Sequence, residues 1–183
     1  MGKVHKGIPE SYALKLAKIY KLKYFIETGT HTGRTAVWAA DNFEYVLTIE
    51  LNEARVIENR AKYGHLRNIN FLKGDSRLLL NNMLVAMPGP AMVWLDAHWS
   101  RDLGYGRPPE GECPLLAELD AILSNPGKHV ILIDDARFFV GRPPKPHVEN
   151  QWPVYDDIVQ GLYPYWKVSH EKNLDIITAF PVD

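Results

Sequence analysis

The chain has a single cysteine, Cys113, in 183 residues, so no intramolecular disulfide can form and the composition suits a reducing compartment. It also has almost no net charge. Twenty-one Lys and Arg against 22 Asp and Glu leave −1, which argues against a dedicated nucleic-acid binder. The nearest approach to a basic run is LKLAKIYKLK, whose Lys15, Lys18, Lys21 and Lys23 read as a solvated helix face and its exit. No apolar stretch approaches the length of a membrane span, and the N-terminal MGKVHKGIPE lacks an apolar signal core. Lys6 stands where a myristoylation signal beginning at Gly2 needs Ser or Thr. The expectation is a soluble, cytoplasmic protein with no nucleic-acid or membrane partner. No repeat, low-complexity tract or linker divides the sequence, and 46% hydrophobic content can supply the core of one domain spanning 1–183.

What the sequence does have is a rhythm. Five apolar runs rich in Val, Ile, Leu and aromatics each end in an acid: YFIE at Glu27, YVLTIE at Glu50, INFLKGD at Asp75, AMVWLD at Asp96, and HVILIDD at Asp134 and Asp135. Segments of helical periodicity separate them, so they read as parallel strands joined by crossover helices, an α/β doubly wound, Rossmann-like sheet. In such a sheet the carboxyl ends of the strands line one edge, where ligands bind. Like charges gathered on one rim cost free energy unless a cationic or donor-rich ligand occupies it, so the rim is the candidate site.

The elements follow from caps and breakers. Pro9 opens a helix to Tyr20, and strands run Tyr24 to Glu27, Tyr45 to Glu50, Ile69 to Lys73, Met92 to Leu95 and Val130 to Ile133. Asn52 caps a helix ending at Tyr63 with Gly64 as its C-terminal glycine, Ser76 caps RLLLNNMLVAM, and Pro114 starts LLAELDAIL. Long loops cover His98 to Glu112 and Ala136 to Gln151, and a helix follows from Tyr155 to Leu162. YWKVSHEK and LDIITAF, on either side of Lys172-Asn173, form a terminal antiparallel pair.

The turn after the first strand, Glu27-Thr28-Gly29-Thr30-His31-Thr32-Gly33, carries glycines four apart, which lets the backbone approach a ligand at a helix N-terminus. A dinucleotide fingerprint needs a glycine two after the first, and that position is His31. Glu27 would repel a pyrophosphate and suits a ligand with a positive charge. S-adenosylmethionine carries both a sulfonium and an ammonium group.

On these residues the chain resembles the class I S-adenosylmethionine-dependent methyltransferases, from about Tyr24 to Phe180. The family's acidic-x-Gly-x-Gly-x-Gly turn, which holds the methionine part, is matched by Glu27, Gly29 and Gly33, with Thr30 and His31 between them; His31 replaces the middle glycine. Glu50 stands where the family places the acid that takes the ribose hydroxyls. Asp75, with Ser76, stands near the family's adenine position. The resemblance implies a seven-stranded, mostly parallel sheet with an antiparallel C-terminal pair.

Asp96 with Asp134 and Asp135 is a hard oxygen-ligand set suited to Mg²⁺. It is similar to the acids of metal-dependent O-methyltransferases that act on sugars and other hydroxylated natural products. The sequence after strand four, Asp96-Ala97-His98-Trp99, is not the Asn/Asp-Pro-Pro-Tyr type motif of adenine and glutamine amine methyltransferases. The expected reaction is in-line attack of a small-molecule hydroxyl on the sulfonium methyl, with a divalent metal and Asp96 holding the acceptor and His98 taking its proton. His98 could instead ligate the metal or pack beside Trp99. The two long loops bring Trp99, Arg101, Tyr105, Arg107, Arg137, Phe138, Phe139, Arg142, Lys145 and His147 towards the acceptor.

Structural roles stand beside these functional ones. Gly29 and Gly33 could serve only a tight connection, Glu50 could be a surface acid, Asp75 and Ser76 a helix cap, and Asp134-Asp135 a turn. Cys113, directly before Pro114, reads as a helix-start residue and not a nucleophile. An NAD-dependent oxidoreductase and a non-catalytic S-adenosylmethionine-binding protein are the competing functions, and a homodimer could complete the acceptor site.

Overall fold

The computed structural model describes residues 7–101, 106–125 and 127–182; Gly2, Lys6 and Tyr105, named above, lie outside them. The first five strands are β1 Tyr24–Thr28, β2 Tyr45–Glu50, β3 Ile69–Lys73, β4 Ala91–Leu95 and β5 Val130–Ile133. The last two, β6 Trp166–Glu171 and β7 Ile176–Pro181, are the terminal pair. They form one sheet in the order β3-β2-β1-β4-β5-β7-β6, with β1 to β5 parallel and β7 antiparallel to both its neighbours. The expected doubly wound sheet is therefore present. Chain order reverses between β1 and β4, which is where open α/β sheets leave a crevice.

Alternation along the strands explains why both faces are covered. On β4, Met92 and Trp94 point to one side while Ala91, Val93 and Leu95 point to the other, and all five are buried. Phe25, Val46, Phe71, Met92, Trp94 and Leu132 meet helices α1 Glu10–Tyr20, α2 Arg34–Ala40 and α3 Glu53–Tyr63. Ile26, Leu47, Ile49, Val93, Ile131 and Ile133 meet α4 Ser76–Ala86, α5 Leu115–Leu123 and α7 Tyr155–Leu162. By the same period of two, Glu27, Thr48 and Glu50 sit on the α1–α3 side.

Two local expectations need correction. Asp75, not Ser76, is the N-cap of α4: its Oδ1 accepts from the Arg77 N–H at 2.9 Å, and Ser76 is the first helical residue. Helix α3 ends at Tyr63 with Gly64 as its C-cap, as expected, although at φ −63° the glycine's freedom to turn left-handed is not used. The second long loop is partly ordered, with a short helix α6 at Arg137–Val140 and a 3₁₀ turn at Glu149–Gln151. Helix α6 forms because Asp175, just before β7, accepts at its carbonyl from Ala136 N–H and at Oδ1 from Arg137 N–H. Among the described residues no helix is long and apolar enough to cross a membrane.

Candidate active site

A cavity of about 320 Å³ opens over the carboxyl ends of β1, β2 and β4. Glu27, Gly29, Thr30, His31, Glu50, Asp75, Ser76, Asp96, His98 and Asp134 line it, whereas Gly33 and Asp135 do not. Most of the rim acids thus converge as the strand pattern predicts.

Glu27 sits at the floor, 1% exposed. Thr48, its register partner on β2, donates to Glu27 Oε2 at 2.6 Å, and Thr30 and Thr48 share a 2.5 Å hydroxyl contact. Burial, opposed by Thr48 and reinforced by the Glu50 charge, pushes the Glu27 carboxyl up to about 8. The group is therefore largely protonated at neutral pH until a cation arrives beside it.

The turn above it requires glycine at position 29. Gly29 has φ +88°, and a side chain there would collide with the Asp96 carbonyl. His31, where the family pattern has glycine, also adopts a left-handed backbone, at φ 47°. A non-glycine residue accepts that conformation at a cost of order 1 kcal/mol. The compensation is visible: His31 N–H donates to Glu50 Oε2 at 2.7 Å, and Asn59 Nδ2 donates to the His31 carbonyl at 2.8 Å. Glu50 Oε1 accepts from Asn52 N–H at 2.8 Å. Two backbone donors thus fix the Glu50 carboxylate, which can still accept from a vicinal diol.

At the start of α4, Asp75 is already engaged. Besides capping the helix it pairs with Arg77, Nη1 to Oδ2 at 2.9 Å. The capping role is observed, and any contact to a ligand would share these oxygens.

The end of the cavity at β4 and β5 is acidic. Burial, then the charges of Asp134, Asp135 and Glu27, raise Asp96 well above the usual carboxylate range, although its side chain is still 28% exposed. Burial and Asp135 push Asp134 up to about 7. Asp135 behaves oppositely. Burial opposes its ionisation, but His98 and Arg137 outweigh burial and hold it at about 2. His98 Nε2 lies 2.9 Å from Asp135 Oδ2, and Arg137 Nη1 lies 2.6 Å from Asp135 Oδ1 and also pairs with Asp175. His98 Nδ1 is 3.8 Å from Asp96.

This arrangement does not fit the expected metal set. Both Asp135 oxygens are taken by cationic or N–H groups, and Asp134 Oδ1 accepts from the Asp135 N–H at 2.8 Å. Among the described residues no group of three or more His, Cys, Asp or Glu is placed to hold a metal ion. Cys113, pushed up to about 12 by burial, is no nucleophile.

The two long loops pack on one another beside His98. Trp152 lies 5.2 Å and Phe138 6.2 Å from the His98 ring, His147 contacts Trp99, Phe138 and Trp152, and Arg107 stacks over Trp99. Arg142 instead pairs with Glu149 on the surface, away from the acids. Sequence reasoning missed Glu112, Arg77 and Trp152. Glu112 sits in the Pro- and Gly-rich stretch Arg107-Pro108-Pro109-Glu110-Gly111-Glu112, where no periodicity marks it as buried.

The sheet order and its C-terminal antiparallel pair are those of the class I S-adenosylmethionine-dependent methyltransferase fold. Solved structures of similar fold include an O-methyltransferase from Bacillus cereus in complex with S-adenosylhomocysteine: 18% identity, 94% of this chain and 80% of that one covered, TM-score 0.66. A Podospora anserina methyltransferase bound to S-adenosylhomocysteine gives 18% identity, 95% and 78% coverage and a TM-score of 0.65. TomG of Streptomyces achromogenes, an O-methyltransferase involved in tomaymycin synthesis, in complex with S-adenosylmethionine, gives 16%, 95%, 79% and 0.63. No protein-family model matches the sequence, and no curated protein does.

Proposed function

We propose that this chain is an S-adenosylmethionine-dependent methyltransferase that transfers a methyl group to a hydroxyl of a small molecule, a sugar or another hydroxylated compound. The observation that carries the reading is Glu50. Its carboxylate ends β2 inside a methyltransferase fold, 5% exposed and aimed by the N–H groups of His31 and Asn52 into a cavity shared with Glu27 and Gly29.

S-adenosylmethionine, when bound, supplies an electrophilic methyl group. Glu27 would neutralise an ammonium, Gly29, Thr30, His31 and Gly33 would shape the backbone around the methionine part, Glu50 would accept from the ribose hydroxyls, and Asp75 and Ser76 would border the adenine. At the acceptor end the protein's task is alignment and proton removal. His98 is suited to it. With Nε2–H donated to Asp135, the lone pair is left on Nδ1, the atom facing Asp96, and the acceptor's proton would move there. Asp96, whose carboxyl burial and neighbouring acids raise well above the usual range, can donate to a second acceptor hydroxyl when protonated and accept from it when ionised. A divalent ion at Asp96, Asp134 and Asp135 would need Asp135 to release His98 and Arg137, so no step is assigned to one.

A thermal melt with S-adenosylhomocysteine, with NADH, and with each in the presence and absence of Mg²⁺ tests this reading. At about a hundred times its dissociation constant S-adenosylhomocysteine should stabilise the fold by roughly 2.7 kcal/mol, a shift of several degrees. No shift at saturation would remove the methyltransferase reading, and a shift by NADH instead would favour an oxidoreductase. A further Mg²⁺-dependent rise would show that Asp135 can exchange its partners for an ion.

A further inference from the structure

Glu112 takes no part in the chemistry above, yet its side chain is completely buried. A carboxylate removed from water must be met by donors. Oε2 accepts from Trp152 Nε1 at 2.9 Å and from Val148 N–H at 3.1 Å, pairs with His147 Nδ1 at 3.0 Å, and Oε1 lies 2.5 Å from Arg107 Nε. The backbone adds two bonds: Trp99 N–H donates to the Glu112 carbonyl at 2.7 Å, and Glu112 N–H donates to Gln151 Oε1 at 2.9 Å. One residue thus closes the first long loop on itself and ties it to the second.

This hub is connected to the cofactor end. Arg77, whose Nη1 holds Asp75, places Nη2 2.9 Å from the carbonyl of Gly111, the residue next to Glu112. The first loop reaches the cavity directly through His98, Trp99, Ser100, Pro108, Gly111 and Glu112 itself, whereas no described residue of 136–151 lines it. A ligand in the cavity can therefore reach the second loop through contacts of this kind, beside the ring contact of His98 with Phe138.

We propose that Arg77 and Glu112 form a strut by which a cofactor seated at the start of α4 orders residues 143–151 and, through them, Trp152 against His98. Both are positioning residues of the acceptor site. The proposal rests on the cofactor reading above. Ligand contacts near Asp75 favour the arrangement in which Arg77 spans to Gly111, and a ligand shifts an equilibrium only by such differential contacts.

Amide hydrogen exchange of the full chain, with S-adenosylhomocysteine as the probe, tests it. In the wild type the probe should slow exchange at 27–33 by direct contact and at 143–151 by about tenfold, within the usual range of coupling between sites. Arg77→Met should keep the protection at 27–33 and lose it at 143–151. Arg77→Lys, which keeps a charge for Asp75 but cannot reach both partners, should do the same should the first variant fold poorly. Because coupling is reciprocal, Trp152→Phe, which removes one donor to Glu112 outside the cavity, should weaken probe binding by about threefold. A merely structural Arg77 would raise exchange throughout, with and without the probe. Undiminished protection of 143–151 in both Arg77 variants overturns the strut, as does a wild type protected at 27–33 but not at 143–151. No protection anywhere overturns the cofactor reading, and the strut falls with it.

Discussion

At the tips of β1 and β2 the candidate carboxylates are held by strand neighbours and by the turn they introduce: Glu27 by its register partner Thr48, Glu50 by the N–H groups of His31 and Asn52. Around His98 the equivalent work is done by residues from two loops and the final hairpin, with Glu112 reaching 35 to 40 positions along the chain for its partners and Arg137 reaching 38 to Asp175. Sheet register turns long sequence separation into a predictable contact, and a loop-to-loop contact has no such rule. The cofactor end should accordingly be stiff and sensitive to backbone changes, and the acceptor end adjustable and sensitive to side-chain removal.

The largest expected effect lies at the acceptor end. His98→Ala should lower kcat by about 10²- to 10⁴-fold with any hydroxylated acceptor that supports turnover, the usual range for loss of a general base. S-adenosylhomocysteine affinity, measured by calorimetry, should stay near wild type. Near-normal turnover would remove His98 from the chemistry, and a collapse of cofactor affinity would show that the two ends are not separable.

The cofactor end offers the converse. Gly29→Ala puts a side chain into the Asp96 carbonyl at a left-handed position, and should cost about 2–4 kcal/mol of stability together with most cofactor binding. A melt close to wild type with intact binding would mean that the β1 turn is not a rigid element.

How far each end was legible follows from the same contrast. The strand boundaries, the crevice, the antiparallel terminal pair and the convergence of Glu27, Glu50, Asp96 and Asp134 were readable, because period-two burial and chain order determine them. His31 was read as a departure from the glycine pattern, and its left-handed φ shows that the turn survives with a different residue. The sequence groups Asp135 with the metal acids, whereas its partners are His98 and Arg137. Nothing in LIDDARFF says which of two adjacent acids turns toward the cavity; the φ of 55° at Asp135 and the grip of Asp175 on α6 decide it. Glu112 was invisible for a related reason: its burial depends on donors that only the folded loops supply.

An intermediate effect concerns pH. Folded and without ligand, Glu27 holds its proton up to about 8, against an ordinary glutamate near 4.5. The folded state therefore binds more protons than the unfolded state between those values, and this group's contribution to stability is complete below about pH 4.5 and is lost as pH rises through 8. A ligand ammonium beside Glu27 favours the anion, so binding should release a proton, and affinity should rise by up to about tenfold per pH unit until it levels off near 8. Calorimetry in buffers of different ionisation enthalpy would count the proton. Glu27→Gln should flatten the dependence, and a flat wild-type profile would place the ligand's positive charge elsewhere.

The smallest effect separates capping from recognition at Asp75. As an N-cap, Asp75 should be worth about 1 kcal/mol, lost in Asp75→Ala and largely kept in Asp75→Ser, because serine can accept from the Arg77 N–H. Serine cannot keep the ion pair to Arg77 or a hydrogen bond to an adenine amino group at the reach of an aspartate. If Asp75 serves only the helix, thermal stability will distinguish the two variants and cofactor affinity will not. If Asp75 also meets the adenine, both variants will bind S-adenosylhomocysteine several-fold more weakly while only the alanine variant melts early. In that second outcome the start of α4 belongs functionally to the stiff end of the cavity, although its arginine reaches across to the adjustable one.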